Sequence, residues 1–242
     1  FYTVSQRQTE RAGFVRQTDN CLQCHGSSLT HSIPGHLVRS VFADENGYPI
    51  LKAGTHLTDQ SSPWAERWGG WYVTGTHGDA RHMGNVFAVE TENDASVDRE
   101  AGANLATLNA RVDTERYLTA HSDIVALAVL AHQVDVHNLI TEANFATRAA
   151  QYRQAAVDEI LKRDPNTPSE STLHVVKSAG DKLVESLLFA NEAKLTGPIR
   201  GTSGFAEVFS AQGPQDPQGR SLRDFDLQTH MFKYPLSYLI YS

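Results

Sequence analysis

Cys21-Leu22-Gln23-Cys24-His25 constrains this chain more than any other segment. It contains both cysteines among 242 residues, so no third thiol offers a disulfide partner or a Cys-rich metal site. A thioredoxin-like redox pair does not need His25 and normally opens a helix after a strand. Here the preceding residues, Arg16-Gln17-Thr18-Asp19-Asn20, are polar. C-x-x-C-H is instead the attachment signal for haem c. Two thiols one helical turn apart can reach the vinyl groups on one edge of a porphyrin. The histidine after them can bind iron as an axial ligand. The expectation is one covalent haem c, bonded to Cys21 and Cys24, with His25 as the proximal ligand.

The distal ligand decides what such an iron does. Met83 is the leading candidate, because it is one of two methionines and stands in a polar loop, Thr76-His77-Gly78-Asp79-Ala80-Arg81-His82-Met83-Gly84. His77 and His82 share that loop and could ligate instead. His121, His132 and His137 form a second group. His121 and His132 are eleven residues apart, about twenty degrees from one face at helical pitch, while His132 and His137 diverge by about 140 degrees. His132 sits on an otherwise apolar helix and needs a hydrogen-bond partner or a metal, which makes it the strongest helical alternative. Trp71, with Trp64 and Trp68, could wall a haem or form a small aromatic core. Arg39 and Arg81 could pair with propionates through a planar guanidinium, or lie on the surface.

Composition sets outer limits. The formal charge is −7, which argues against nucleic acid or an anionic membrane as partner. Arginine outnumbers lysine by 15 to 6, so the lysine-ringed docking face of a small mobile carrier is not evident. No apolar run approaches the roughly 18 residues needed to span a bilayer. Phe1-Tyr2-Thr3 does not read as a signal peptide. Since covalent haem c is installed outside the cytoplasmic membrane in bacteria, a processed periplasmic or otherwise extracytoplasmic chain is expected.

The expected fold is α+β and predominantly α, divided into a haem c-binding region (1–95) with short antiparallel strands and a helical region (96–242). Strands are expected at Leu37–Ala43 and Tyr48–Leu51, joined by an Asn46-Gly47 turn. A second strand pair is expected at 70–75 and 85–89. A long helix should start at Ser122 or Asp123 and run to about Arg163, before Asp164-Pro165. Its Ile124, Leu127, Val134, Leu139 and Ile140 should be buried. Another helix should cover about 171–191 with Leu173, Val176, Leu183, Leu187 and Leu188 inward. A short helix around 205–209 and an aromatic segment from Phe232 to Tyr241 complete the chain.

On Cys21, Cys24 and His25, the first ninety residues or so resemble a bacterial monohaem c-type cytochrome. The run Cys24-His25-Gly26, then Ile33-Pro34-Gly35-His36-Leu37-Val38-Arg39-Ser40-Val41, also resembles haem-c sensory domains with a PAS-like sheet. The strings Arg67–Gly78 and His121–Leu127 are similar to large cytochrome-c-domain proteins without an assigned role. The resemblance implies thioether and iron ligation by Cys21, Cys24 and His25, and electron transfer with a redox partner protein. A haem peroxidase, or an oxidoreductase of a small sulfur or nitrogen compound, is the alternative. It requires an open distal face near His132, His77 or Arg81. A gas sensor is the third reading.

Overall fold

The computed structural model describes residues 1–7, 10–226 and 231–232. Its chain is mixed α and β. The strands are short and antiparallel: β1 (Tyr2–Val4) with β2 (Phe14–Arg16), β3 (Arg39–Val41) with β4 (Thr55–Leu57), β5 (Val89–Glu90) with β6 (Ala95–Ser96), and β7 (Phe225–Asp226) with β8 (Met231–Phe232). The helices are α1 (Leu22–His25), α2 (Ile124–Leu161), α3 (Glu170–Leu187) and α4 (Phe205–Ala211).

The chain divides into two compact units, one of Phe1–Leu37 with Val136–Leu183, the other of Val38–Asp135 with Val184–Ser242. The expected boundary at 95/96 falls inside the second unit. A polar acidic stretch, Glu90-Thr91-Glu92-Asn93-Asp94, lies just before it. In the structure Glu90 and Ala95 pair across β5 and β6, so the stretch is a hairpin. The expected helical region also contains irregular chain before α2 and the β7–β8 pair.

In the first unit, β1 pairs with β2 in the register Tyr2 to Arg16, and all six residues are exposed. Asp19 O accepts from Leu22 N at 2.9 Å and starts the single turn of α1. The later part of α2 runs to Leu161. There Lys162 takes φ 53° and Arg163 N donates to Asp158 O, closing the helix before Pro165. Ser169 caps α3, its Oγ accepting from Thr172 N at 3.2 Å. Gln154 of α2 braces this entry, accepting from Ser169 N and donating to Thr167 O. Glu142 of α2 bonds both His31 (2.8 Å) and Lys182 (3.0 Å). The inward face of α3 differs from expectation. Thr172, Ala179 and Ser186 are its buried residues, and Leu173 is 53 % exposed. These small side chains recur every seven residues, so they share one helical stripe.

In the second unit, Asp44 N donates to Tyr48 O and Gly47 takes φ 82°, as the expected turn requires. The returning segment makes only a bridge between Ala43 and Pro49. The regular partner of β3 is β4, with Arg39 opposite Leu57. The expected pair at 70–75 and 85–89 is not a ladder. The Asn85 carboxamide replaces it, accepting from Val73 N (2.7 Å) and donating to Val73 O (2.6 Å) and Gly102 O (2.8 Å). Trp68, Val73, Ile124, Val125 and Ile199 form the core, with Trp64, Trp71, Leu127, Leu195 and Phe205 against it.

Asp123 starts α2. Its Oδ1 accepts from Val125 N at 2.9 Å and from Ala126 N at 3.3 Å, while Oδ2 accepts from Thr202 N, Ser203 N and Ser203 Oγ. Burial alone pushes this carboxyl upward, but these hydrogen bonds outweigh it and hold Asp123 below the usual carboxylate range. By length and composition α2 could cross a membrane. That is a weak argument for a span, because Asp135 on the same helix accepts from Gln60 (2.9 Å) and Ser186 (3.0 Å) in the second unit. The expected aromatic segment 232–241 lies, except for Phe232, outside the described residues.

Candidate haem attachment site

Cys21 and Cys24 are both free thiols, Cys21 half-buried and Cys24 exposed. One turn of helix separates them, and His25 N donates to Cys21 O at 2.9 Å, so the histidine is the last residue of that turn. The loop that follows bends back onto His25. Ser27 caps a 3-10 turn over Ser28–Thr30, and Thr30 Oγ1 donates to Ile33 O at 2.7 Å. This brings Gly35 against the motif. Gly35 N donates to His25 O at 2.9 Å, and His25 Nδ1 lies 2.9 Å from Gly35 O.

The second contact has a chemical consequence. A carbonyl can only accept, so His25 Nδ1 carries the proton and Nε2 carries the lone pair. A metal-binding histidine is oriented in this way by a carbonyl behind it. Phe1 packs against the His25 ring at 4.7 Å between centroids. His36 and His137 stand edge to face at 5.0 Å. Burial, then the neighbouring His137 and His25, hold His36 below the ordinary histidine range. The donor set therefore fits a covalent haem c: two free thiols on one turn and an imidazole whose Nε2 carries the lone pair.

The other expected site residues belong to the second unit, and their bonding is different. Met83 is 1 % exposed, its thioether accepts from Ser40 Oγ at 3.7 Å, and its backbone N donates to Arg67 O. In this arrangement Met83 packs as a buried side chain of the second unit. His77 uses both ring nitrogens: Nδ1 donates to Ala80 O (2.7 Å) and Nε2 accepts from Asn104 N (3.0 Å). Burial pushes its pKa down. His82 Nδ1 accepts from Gly84 N at 3.0 Å, which leaves the proton on Nε2, a buried atom without a hydrogen-bond partner. Burial, with His77 and Arg81 nearby, lowers the His82 pKa to about 3.

His132 lies 3.1 Å from Glu192 and stacks on Phe189 at 4.3 Å, yet its buried Nδ1 makes no hydrogen bond. Trp71 packs on the core and donates from Nε1 to Arg39 O at 2.8 Å. Arg39 itself is exposed and reaches Thr55 Oγ1 at 3.3 Å. Arg81 forks onto Glu100 at 2.7 and 2.8 Å. Among the described residues no group of three or more histidine, cysteine or acidic side chains is placed to hold a metal ion.

The sequence reading missed Gly35, His36 and Phe1 as neighbours of His25, and Asn138 as the side chain that holds His36. Pro34-Gly35 ten residues after the motif was the available signal, since such a turn can return the backbone to the preceding helix. Comparison of the chain with family models, with curated proteins and with solved structures finds no match.

Proposed function

We propose that this chain is an extracytoplasmic monohaem c-type cytochrome that transfers electrons between protein partners. Its one haem is held by Cys21 and Cys24, with His25 as proximal ligand. The observation that carries the reading is the hydrogen bond between His25 Nδ1 and Gly35 O, 2.9 Å long. It sets the tautomer and the ring direction that an axial histidine requires. Haem iron would supply a reversible one-electron couple. Cys21 and Cys24 would hold the haem, each S–H adding across one vinyl group to give a thioether with no net oxidation. His25 contributes the Nε2 lone pair, and Gly35 holds the opposite nitrogen. Phe1 shields one side of the imidazole from water.

The enclosure of Met83, His77 and His82 favours a second reading, a haem oxidoreductase with an open distal position. The ferric spectrum separates the two. A low-spin spectrum unchanged by azide fits the carrier, and a high-spin spectrum that azide converts fits the enzyme. Haem staining after denaturing electrophoresis tests the reading they share. Colour should stay with the polypeptide. Colour that leaves in acid acetone overturns both.

A further inference from the structure

We propose that Asn138 is a positioning residue for the axial histidine. The inference rests on the haem reading above and deepens it. Asn138 lies on α2, and its carboxamide grips the backbone of His36 on both sides. Oδ1 accepts from His36 N at 2.9 Å, and Nδ2 donates to His36 O at 2.9 Å. A two-point grip of this kind fixes the plane of the neighbouring peptide, because the peptide is rigid. That neighbouring peptide joins Gly35 to His36, and its carbonyl is the one His25 Nδ1 addresses. The chain of contact is therefore continuous from Asn138, through one rigid peptide, to the imidazole.

The fit at residue 35 is close. A Cβ there would stand 2.8 Å from Asn138 Oδ1 and 3.1 Å from Thr30 Cβ. Glycine allows the loop to sit directly on the amide. No hydrogen bond in this arrangement requires Asn138 to touch haem or His25. Its role is to hold the carbonyl that holds the ring.

The electronic consequence has a definite sign. Donation from Nδ1 to a well-placed carbonyl makes Nε2 a stronger donor. A stronger donor favours ferric over ferrous iron. Loosening the carbonyl should weaken that preference and move the reduction potential upward.

The test uses the haem-loaded protein. In Asn138→Ala the potential should rise, and the His25 Nδ1 proton, followed by NMR, should exchange faster than in the parent. Glu142→Ala is the control, since Glu142 binds His31 and Lys182 in the same unit and touches neither Gly35 nor His36. It should lower stability and leave the potential unchanged. Equal shifts in the two variants would mean general loosening and would overturn the proposal. So would an unchanged potential in Asn138→Ala. Should that variant not fold, the parent protein decides. A His25 Nδ1 proton that exchanges as fast as free imidazole overturns the clamp, and slow exchange of that proton with the Asn138 amide protons supports it. A chain without covalent haem overturns the haem reading, and this inference with it. A loaded chain whose potential ignores Asn138 overturns this inference alone.

Discussion

The two units treat histidine in opposite ways. In the unit that carries the cysteines, His25 has one ring nitrogen bound to a backbone carbonyl, with Nε2 as the lone-pair nitrogen. In the other unit, His77 spends both nitrogens on backbone groups, and His82 is enclosed with its acceptor nitrogen already used. The difference teaches that a histidine is read by which nitrogen is spoken for, not by its neighbours in the sequence. By that measure the first unit is built around an available imidazole. The second is built around imidazoles locked neutral in a tryptophan-lined interior, with Trp68 at 5.5 Å from His82. The tools for separating the units are built in. All three tryptophans lie in the second unit, so their fluorescence follows that unit, while haem absorbance would follow the first.

The largest effect should come from the first unit. Replacing both Cys21 and Cys24 with serine removes the thioethers, and haem stain on a denaturing gel should fall to background. Tryptophan fluorescence unfolding should stay close to the parent curve. Retained covalent colour would break the comparison at its root.

Next comes Met83. Truncating a fully buried methionine to alanine costs about 2–5 kcal/mol. Met83→Ala should therefore lower the midpoint of fluorescence-monitored unfolding strongly, while the haem spectrum and potential remain as they were. A changed spectrum with little loss of stability would return Met83 to the iron.

A smaller effect should appear on acidification. The His82 pKa is lowered to about 3, mainly by burial. Between that value and the unfolded value near 6.5, the unfolded chain binds a proton that the folded chain refuses. Stability is full above about pH 6.5 and is lost as pH falls toward 3. At pH 5 the loss amounts to about 2 kcal/mol. Denaturant titrations at pH 7.5 and pH 5 should show it, and His82→Asn should flatten the difference. An equal slope in that variant would place the acid sensitivity elsewhere.

The smallest effect should be at Lys177, which pairs with Asp181 on the exposed side of α3. Such a pair contributes about 0.3–0.5 kcal/mol, so Lys177→Ala should leave both signals nearly unmoved. A large shift there would reveal a role for the α3 surface that its hydrogen bonds do not suggest.

How much of this could be read in advance depended on how local the signal was. The C-x-x-C-H motif is five consecutive residues, and the single helical turn it forms needs nothing distant. The ends of α2 were legible because Asp123 caps its own helix and Asp164-Pro165 cannot continue one. The face of α3 was not legible. Leucines and valines suggested the inner side, but the stripe turned inward carries Thr172, Ala179 and Ser186. Neither was the bracing by Asn85, which mimics a strand pair with a side chain. Composition could not show that α2 contributes Ile124–Asp135 to one unit and Val136 onward to the other. Met83 stood out in the sequence for its rarity. In the structure its surroundings are Ser40, Gly69 and the backbone of Arg67, all of them brought in by tertiary contacts.

The grip of Asn138 on His36 joins residues 102 positions apart. Synthesis runs from the N-terminus, so the cysteine turn emerges about a hundred residues before the helix that will secure its loop. During that interval the loop that ends at Gly35 lacks the amide that will secure it. Once residue 138 arrives, the loop can close behind the histidine. The cysteine turn is thus made early and secured late, and a chain rearranged to begin within α2 would carry its clasp before the loop that the clasp closes on.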